Sequence, residues 1–413
     1  MTKKKILIVD DNISSNITLS NIIREWGIYI VDIANNGQQA LDKVFSDSPP
    51  DLILLDIMMP KIHGYNVCQQ IRAEQRFKNV KILMTSAKTY KSDIDQALAL
   101  GADGYMLKPY DFDVLKEKID AMLWEDAESM KIKIWGARGS IPTPGNKYDR
   151  YGGNTSCVEL RIGKKLLIFD AGTGIRELGI ALNEEYGDRP IEGRVFITHA
   201  HWDHIQGFPF FTPVYIAANK FEVYGPMGAD RNIEKIICGQ HDLNYFPVSI
   251  ADLLAKINFI DLTGEDVRID DINISYMYLN HPGMTIGYKI ECSEKTIIYA
   301  TDNELDPDVG SSEKKDYLMI LSEFVKDADI LITDAQYSDE EYKLKKGWGH
   351  SPINTVLDFA MNAGVKKLVF FHHDPMHTDE QLDELVDGAA KKAVDSGSGI
   401  DCLAAREKET IKI

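Results

Sequence analysis

Three histidines and one aspartate lie within six consecutive residues of the segment THAHWDHIQG, which covers residues 198–207. His199, His201 and Asp203 are spaced two residues apart, and His204 follows directly. Side chains two residues apart do not share a helix face, so this cluster must begin in a loop. The preceding residues RVFI are typical of a strand, which places the loop at a strand end. Imidazole and carboxylate together favour Zn²⁺, Mn²⁺ or an iron ion.

This loop holds more ligands than one catalytic zinc usually takes, so it predicts two ions. A second ion needs further ligands, and the ends of later predicted strands offer them. The candidates are His281 in YLNHPG, Asp302 in YATDNE, and His372 or His373 in VFFHHDP. A lone histidine is more often a hydrogen-bonded structural residue. Three candidates at strand ends, added to the dense loop, reverse that preference.

A second set of polar side chains occurs near the N-terminus, again at predicted strand ends. Asp10 and Asp11 follow KILIV, Asp56 follows DLILL, and Ser86 and Lys108 follow the next two apolar runs. Clustered carboxylates repel one another unless a cation compensates them. Oxygen ligands suit Mg²⁺, which takes carboxylates, water and a phosphate, and a nearby lysine can pair with that phosphate. These residues therefore predict a magnesium and phosphoryl site.

The secondary structure predicted around the two sites differs between the two parts of the chain. Up to residue 124, strand-like and helix-like segments alternate, which predicts a doubly wound parallel sheet of five strands for residues 1–124. Polar residues interrupt the pattern in EDAESM, so we predict a linker at residues 125–130. Residues 131–413 then read as β-rich segments followed by mixed strands and helices, which we interpret as a second domain.

Composition narrows the class of protein. The chain has 413 residues, 44% of them hydrophobic, and no apolar run approaches the roughly 20 residues that span a bilayer. The start MTKKKILIVDD predicts a first strand rather than a signal peptide, because acidic residues interrupt it at once. Five scattered cysteines without a CxxC pair favour reduced thiols and a cytoplasmic location. A net charge of -18 disfavours nucleic acid as a partner.

Residues 4–124 resemble the receiver domain of two-component response regulators, which has a flavodoxin-like fold. The resemblance rests on the motifs DIMMP, TSA and LKP and on the spacing of the acidic residues, Ser86 and Lys108. It implies that Asp56 accepts a phosphoryl group from a sensor histidine kinase. It also implies that Asp10 and Asp11 hold Mg²⁺.

The remaining receiver positions follow from the same resemblance. The backbone carbonyl of Met58 would complete the Mg²⁺ site, Ser86 would contact the phosphoryl group, and Lys108 would pair with it. Tyr105 would be the aromatic residue that reorients. Phosphorylation adds roughly -1.5 to -2 charge, which can shift a packed interface between two arrangements. We therefore expect the signal to pass across a short linker or a homodimer interface.

Residues 131–413 resemble the metallo-β-lactamase superfamily, an αββα sandwich, with THAHWDH as the central motif. The resemblance implies these ligands: His199, His201 and His281 for a first ion; Asp203, His204 and His372 for a second; and Asp302 bridging both. We select His372 as the late ligand because it directly follows the apolar strand LVFF, with His373 as the alternative.

The segments WGARGSIPTPG, YGGNTSCVEL and GWGHSPINTVLDFAMNAGVKKLVFFHHDP resemble the phosphodiesterase branch of that superfamily. This branch includes cyclic-nucleotide phosphodiesterases and tRNA 3′-processing ribonucleases. His350 would bind a phosphate oxygen or protonate the leaving group, and Asn154 would line the pocket. No insertion resembles the tRNA-binding arm of the ribonucleases. Residues 208–240 instead predict a lid or pocket wall, which with the acidic charge disfavours tRNA processing.

These observations predict a response regulator whose output domain hydrolyses a cyclic nucleotide or another small phosphodiester. A hydroxide between two cations would be the nucleophile, and Asp203 would orient or deprotonate the water. Two alternatives stay open on the residues alone. The same metals support hydrolysis of carbon esters, lactones or thioesters, and a non-catalytic signalling scaffold could retain the ligands. The residues do not select between zinc, manganese and iron.

Overall fold

The chain divides into two compact units, Met1–Ala127 and Glu128–Ile413. The computed structural model describes these residues: 3–87, 91–124, 130–228, 232–306 and 312–413. Most of the predicted linker, residues 125–129, lies outside the described part. The domain limits inferred from the sequence, with a linker at 125–130, therefore stay a prediction.

The first unit is a single parallel sheet with helices on both faces. Its strands are β1 (Lys4–Val9), β2 (Tyr29–Ala34), β3 (Leu52–Asp56), β4 (Lys81–Ser86) and β5 (Gly104–Leu107). Its helices are α1 (Ile13–Glu25), α2 (Gly37–Val44), α3 (Gly64–Ala73), α4 (Lys91–Ala99) and α5 (Phe112–Trp124), with a 3₁₀ turn at Gln75–Phe77. The strand order β2-β1-β3-β4-β5, parallel throughout, confirms the predicted fold.

Burial on both faces explains why this sheet is parallel. All five residues of β3 are buried, as expected for a strand covered by helices on each side. Two separate apolar cores lie on the two faces of the sheet. Helix starts are set locally, since the Asn12 side chain accepts from Ser15 N and the Asn36 side chain accepts from Gln39 N.

The second unit contains two seven-stranded sheets. The strands are β6 (Met130–Gly136), β7 (Cys157–Ile162), β8 (Lys165–Phe169), β9 (Glu192–Phe196), β10 (Lys220–Pro226), β11 (Lys256–Leu262), β12 (Val267–Ile269), β13 (Ile272–Tyr278), β14 (Ile286–Cys292), β15 (Lys295–Ala300), β16 (Ile330–Asp334), β17 (Lys367–Phe371), β18 (Asp401–Ala404) and β19 (Thr410–Lys412). One sheet has the order β11-β10-β9-β8-β7-β6-β19, and the other β12-β13-β14-β15-β16-β17-β18.

Helices and short turns complete this unit. They are α6 (Gly174–Tyr186), α7 (Trp202–Ile205), α8 (Ile233–Gly239), α9 (Ser312–Val325), α10 (Asp339–Lys345), α11 (Ile353–Asn362) and α12 (Asp379–Asp395), with 3₁₀ turns at Phe208–Phe210, Thr212–Tyr215 and Ile250–Asp252. None of the helices in the described ranges combines the length and the apolar character that crossing a membrane requires.

The two sheets pack face to face around a shared apolar core. Phe196 stacks on Tyr224 at 4.8 Å and on Phe169 at 5.4 Å between ring centroids, and Tyr288 of the opposite sheet contacts both phenylalanines. Helix α6 covers the outer face of the first sheet, while α9, α11 and α12 cover the outer face of the second. The resulting helix–sheet–sheet–helix sandwich confirms the predicted αββα architecture.

Parallel pairing brings the chemical residues of this unit to one edge of the sandwich. Strand β8 pairs in parallel with β9, and β15, β16 and β17 form a parallel run. The carboxyl ends of parallel strands meet at the same sheet edge. Asp170 follows β8, His199 follows β9, Asp302 follows β15, Asp334 ends β16 and His372 follows β17.

Glycines in the turn DAGTG allow the histidine loop to approach closely. A Cβ added to Gly172 would lie 2.2 Å from the backbone oxygen of Asp203, and one added to Gly174 would lie 2.5 Å from the backbone oxygen of Trp135. Neither position can accept a side chain without moving backbone. The turn therefore fixes the distance between the first sheet and the candidate ligands.

Two glycine-to-alanine substitutions should have opposite effects on stability. Gly388 lies exposed within α12 with no atom within 4 Å of an added Cβ, so Gly388→Ala should raise the free energy of unfolding by about 0.5–1 kcal/mol. Gly174→Ala should lower it by about 1–3 kcal/mol, because backbone must shift. Urea unfolding of the full chain measures both. Equal midpoints for Gly174→Ala and the parent chain would contradict the close approach.

Candidate metal and phosphoacceptor sites

The seven residues predicted as ligands lie together at one edge of the sandwich. Within the described ranges, potential ligand atoms converge to within 4.8 Å in four groups here: His199, His201, His281; Asp203, His204, His372; His199, His204, Asp302; and His281, Asp302, His350. The first two groups are the two ligand sets that the sequence predicted. Asp302 belongs to both of the others, so its carboxylate faces each set.

Distances between the ligand atoms define two adjoining positions. His201 Nδ1 lies 2.9 Å from His199 Nε2 and 3.1 Å from His281 Nε2. In the other set, His372 Nε2 lies 3.0 Å from Asp203 Oδ2 and 3.3 Å from His204 Nε2.

The carboxylate of Asp302 lies between these two sets. Its Oδ2 is 3.2 Å from His204 Nε2, and its Oδ1 is 3.4 Å from His372 Nε2 and 3.8 Å from His199 Nε2. Asp302 is 1% exposed, so its charge must be balanced inside the protein. The Asp302 carboxylate therefore faces both sets of candidate ligands.

Protonation states in the cluster suit cation binding. Burial lowers the pKa of His199 well below its usual value and lowers the pKa values of His201 and His281, which keeps these three imidazoles neutral. Burial acts to raise the pKa of Asp203 and of Asp302, but the neighbouring histidines outweigh it and lower both. Neutral imidazole and ionised carboxylate are the forms that bind divalent metals, so these five residues fit them. Burial acts to lower the pKa values of His204 and His372, but the neighbouring carboxylates raise both, so these two rings would lose a proton when a metal binds.

Backbone strain accompanies the candidate ligands. Asp170, Asp302 and His372 have φ values of 60°, 59° and 56°, in the left-handed region that side-chain-bearing residues rarely adopt. Packing holds His372 there, because a Cβ on Gly139 would lie 2.4 Å from His372 Nδ1. Such strain persists only where surrounding structure imposes it, and it concentrates at functional sites.

A buried carboxylate behind the cluster orients His204. Asp170 is fully buried and accepts from Thr198 N at 2.8 Å, from Tyr299 Oη at 2.9 Å and from His204 Nδ1 at 2.8 Å. This last contact fixes the ring so that His204 Nε2 faces Asp302. Burial acts to lower the pKa of His204, but the surrounding carboxylates raise it well above its usual value. Sequence reasoning did not select Asp170, although it too follows an apolar strand.

His350 lies against the cluster, as the sequence predicted. Its ring stacks on His372 at 5.0 Å between centroids. Its Nδ1 is 3.4 Å from Asp334 Oδ2 and 3.9 Å from Asp302 Oδ1, without hydrogen-bond geometry to either. Asp334 also accepts from Ser351 N at 3.1 Å, which anchors the loop that carries His350. Asp334 is a second strand-end aspartate that sequence reasoning missed.

A further buried carboxylate shapes the turn before His350. Glu304 accepts from Gly347 N at 2.7 Å and from Gly349 N at 2.9 Å. The carbonyl of Gly349 in turn accepts from His281 Nδ1 at 2.9 Å, which leaves His281 Nε2 facing the cluster. Glu304 therefore positions His281 through one glycine. No motif in the sequence indicated this role.

Two predicted residues do not reach the cluster. His373 Nε2 donates to Ala405 O at 2.9 Å, and burial lowers the pKa of His373 to about 3. The geometry therefore places His372, and not its neighbour, in the cluster of candidate ligands. The Asn154 side chain donates to Glu407 at 3.0 Å, so it braces a loop instead of lining the pocket.

The receiver unit carries the second site. Lys108 Nζ lies 2.6 Å from Asp10 Oδ2 and 2.7 Å from Asp56 Oδ1, and Met58 N donates to Asp56 Oδ2 at 3.0 Å. Carboxylate oxygens of Asp10, Asp11 and Asp56 lie within 4.8 Å of one another. The three predicted carboxylates and the predicted lysine therefore share one pocket.

The two remaining receiver residues lie on neighbouring strands. Ser86 ends β4 and is 1% exposed, and Tyr105 on β5 is 8% exposed.

Burial raises the pKa of Asp56, and Lys108 offsets only part of that effect. Burial acts to lower the pKa of Lys108, but Tyr110, Asp10 and Asp56 raise it, so Lys108 stays charged. The ionised Asp56 is held at a free-energy cost.

Replacing Asp56 by asparagine should stabilise the receiver unit when Mg²⁺ is withheld. A raised pKa means that ionised Asp56 destabilises the fold above that pKa, and that this effect disappears as the pH falls below it. Asp56→Asn should therefore raise the free energy of unfolding on the order of 1 kcal/mol at pH 7, and by less at pH 4. Hydrogen exchange of receiver amides measures the difference, with exposed Asp47→Asn as the control. A larger gain at pH 4 would contradict the sign.

Comparison with protein families matches two different families to the two parts of the chain. The model described as "Response regulator receiver domain" matches residues 6–120, and the model described as "Beta-lactamase superfamily domain" matches residues 166–373. The chain therefore belongs to the beta-lactamase superfamily and carries a response regulator receiver domain before that fold. Both predicted resemblances are confirmed at this level.

Several curated relatives match the chain over about 120 residues. The alkaline phosphatase synthesis transcriptional regulatory protein PhoP of Bacillus subtilis is 41% identical over 120 residues, which is 29% of this chain and 48% of that protein. The probable transcriptional regulator ycf27 of Guillardia theta is 41% identical over 122 residues, or 30% of this chain and 46% of that protein. The chain thus spans about half the length of the curated relatives it matches.

Solved structures resemble the second unit in fold. The metallo-beta-lactamase fold protein YhfI from Bacillus subtilis aligns with a TM-score of 0.50 and 16% identity, covering 69% of this chain and 100% of that one. A diphosphatase from the PhnP family aligns with a TM-score of 0.49 and 18% identity, covering 69% and 98%. At these identities the likeness concerns the fold alone.

Proposed function

We propose that this protein is a response regulator whose output is the hydrolysis of a small phosphodiester, with two divalent cations held by the clustered histidines and aspartates. One observation carries the proposal: seven candidate ligand side chains, of which only His201 is exposed, come from four segments of the chain, and their ligand atoms converge within 4.8 Å in overlapping groups. Imidazole nitrogens of five histidines face one another or a carboxylate here, an arrangement that divalent cations would stabilise.

Two sets of residues would hold the ions: His199, His201 and His281 one of them, and Asp203, His204 and His372 the other, with Asp302 available to either set. Bound cations of this kind supply Lewis acidity and a lowered pKa for water, which is the chemistry that diester hydrolysis needs. Ser140 N donates to Asp203 Oδ2 at 2.7 Å, so a backbone N–H orients the Asp203 carboxylate. The residues do not distinguish zinc, manganese and iron.

His350 is the proposed general acid for the leaving group. Its ring contacts the cluster through His372 and His281, at 5.0 Å between centroids in each case. Asp334 Oδ2 lies 3.4 Å from His350 Nδ1, so a carboxylate stands beside the ring. A phosphodiester with an alkoxide leaving group needs such a proton, which supports this substrate class over activated carbon esters.

Phosphorylation of Asp56 is the proposed input. A sensor histidine kinase would supply the phosphoryl group, Mg²⁺ would be held by Asp10, Asp11 and the Met58 carbonyl, and Lys108 would contact the new charge. The added negative charge at the Lys108 site changes the forces on β5 and its flanking loop. All five cysteines are unpaired thiols, which supports a cytoplasmic location.

Removing His350 should slow the hydrolysis of phosphodiesters to an extent that depends on the leaving group. An alkoxide must be protonated as it departs, whereas p-nitrophenolate leaves without help. His350→Ala should therefore lower kcat about 10²–10⁴-fold for a dialkyl phosphodiester but only a few-fold for bis(p-nitrophenyl) phosphate, with Mn²⁺ present. His377→Gln is the matched control, since His377 donates to Glu341 outside the cluster. Equal losses on both esters would point to a structural role for His350.

The phosphoryl input should alter hydrolysis only through Asp56. Beryllofluoride or acetyl phosphate with Mg²⁺ should change the rate of diester hydrolysis by the parent chain at least about fivefold, the lower end of typical coupling between sites. The Asp56→Asn chain should show the same rate with and without the reagent. A response that persists in Asp56→Asn would show that the reagent acts on the metal cluster itself.

A further inference from the structure

A hydrogen-bonded clasp lies next to the candidate metal centre. We use this name for the backbone N–H of Asn280, the side-chain amide of Asn303 and the hydroxyl of Tyr317, which bond to one another. Asn280 directly precedes the candidate ligand His281, and Asn303 directly follows the candidate ligand Asp302. Tyr317 belongs to α9. The clasp therefore joins a helix to the flanks of two candidate ligands that come from different strand ends.

Three hydrogen bonds close the clasp into a ring. The Asn280 N–H is shared between Asn303 Oδ1 and Tyr317 Oη, at 3.1 Å in each case. The Tyr317 hydroxyl donates to the same Asn303 oxygen. Burial raises the pKa of Tyr317, so the hydroxyl keeps the proton that it donates. One amide oxygen thus accepts from two donors, which fixes the orientation of the Asn303 side chain.

Asn303 is anchored from its other side as well. It is 2% exposed, its backbone N donates to Asp334 Oδ1 at 3.0 Å, and its backbone O accepts from Ser351 Oγ. Asp334 ends β16, and Ser351 directly follows His350. Asn303 therefore has a set position relative to these segments. The clasp transfers that position to Asn280, which lies exposed in its own loop.

The loops that carry Asn280 and Asn303 are also bonded directly. Glu304 N donates to Asn280 O, and Asn280 Nδ2 donates to Glu304 O, both at 2.8 Å. These two bonds hold the loops side by side, and the clasp adds a contact with α9. Tyr317 therefore fixes where the joined loops lie against the helix layer of the sandwich.

His281 is restrained in two ways as a result. The Gly349 carbonyl accepts from His281 Nδ1, which sets the orientation of the ring, and the clasp fixes the backbone just before it. With both restraints in place, His281 Nε2 lies 3.1 Å from His201 Nδ1 and 3.7 Å from Asp302 Oδ1. Opening the clasp would let the backbone shift while the ring stays bonded to Gly349, and these distances would change.

The ring and the hydroxyl of Tyr317 have separate roles. The ring packs against the apolar core that α9 and α11 form with the outer face of the second sheet, and phenylalanine would fill the same space. The hydroxyl makes its hydrogen bonds with the two asparagines. Tyr317→Phe therefore removes clasp bonds and leaves the packing of α9 in place.

We propose that Tyr317 is a positioning residue for the candidate metal centre. Through Asn303 and Asn280, its hydroxyl fixes where His281 lies relative to Asp302, and it thereby raises the affinity of the cation site that includes His281. This assignment deepens the proposed function and rests on it, because it names a residue outside the cluster on which metal affinity depends.

Binding of Zn²⁺ to the metal-free full chain tests the assignment. Chelator-buffered Zn²⁺ is titrated with excess Mg²⁺ present, which competes for the oxygen ligands of the receiver site. Tyr317→Phe should raise the Kd of one bound Zn²⁺ about tenfold, the lower end of what partners that orient metal ligands contribute. Tyr224→Phe is the matched control, since it removes a tyrosine hydroxyl that donates to Glu222 at 3.1 Å on the first sheet. That variant should bind Zn²⁺ like the parent chain.

Substitution of the candidate ligand separates positioning from a loss of stability. In the His281→Ala chain, Tyr317→Phe should leave the Zn²⁺ affinity unchanged, because the imidazole that the clasp positions is absent. A hydroxyl that only stabilised the fold would lower the affinity by the same factor in both backgrounds. Asn303→Ala opens the clasp from its other side, so adding Tyr317→Phe to that variant should cause no further loss.

Failure of this assignment is distinguishable from failure of the proposed function. Equal Zn²⁺ affinity in Tyr317→Phe and the parent chain, or equal losses with and without His281, overturns the positioning role and leaves the proposed metal centre standing. Additive losses in the Asn303→Ala and Tyr317→Phe pair also overturn it. A parent chain that binds no Zn²⁺ at the cluster overturns the metal centre of the proposed function, and this assignment with it.

Discussion

The second unit depends on the cost of burying ionised carboxylates beside one another. Asp302 and Asp203 are almost inaccessible to water, and each is compensated by imidazoles at 3.0–3.4 Å. This requirement explains the surrounding construction. Asp170 turns one ring toward the cluster, Glu304 sets another through Gly349, and three site residues accept left-handed backbone. Divalent cations would compensate the buried carboxylates with a larger positive charge. The donor set is therefore interpreted as a candidate metal centre.

The receiver unit meets a related constraint with a simpler device. One lysine contacts two buried carboxylates, and backbone N–H of Met58 supports the second oxygen of Asp56. Charge compensation there is incomplete, because burial still raises the pKa of Asp56. A phosphoacceptor benefits from this state, since Mg²⁺ and a phosphoryl group complete the arrangement of charges. The two units therefore compensate carboxylates at strand ends differently: the second unit surrounds them with imidazoles, and the receiver unit uses one lysine.

Sequence reasoning worked best where a strand end supplied the chemistry. The five-stranded sheet and the αββα sandwich were predicted correctly, and the geometry gathers Asp10, Asp11, Asp56 and Lys108 in one pocket. The same rule applied equally to Asp170 and Asp334, yet neither was selected, because a single strand-end aspartate is usually a turn residue. Asn154 and His373 were placed near the site but bond to Glu407 and Ala405 instead. Side-chain direction after a strand depends on packing that linear spacing does not encode.

The sequence alone determined the two classes of chemistry, the order of the domains and most candidate ligands, because these depend on residue types, periodicity and local spacing. The tertiary structure decided which of two adjacent histidines faces the cluster and which buried carboxylates orient the rings. Those features join residues such as His204 and Asp170, or His281 and Glu304, that are distant along the chain. Only the folding of parallel strand ends to one edge brings such groups within contact distance.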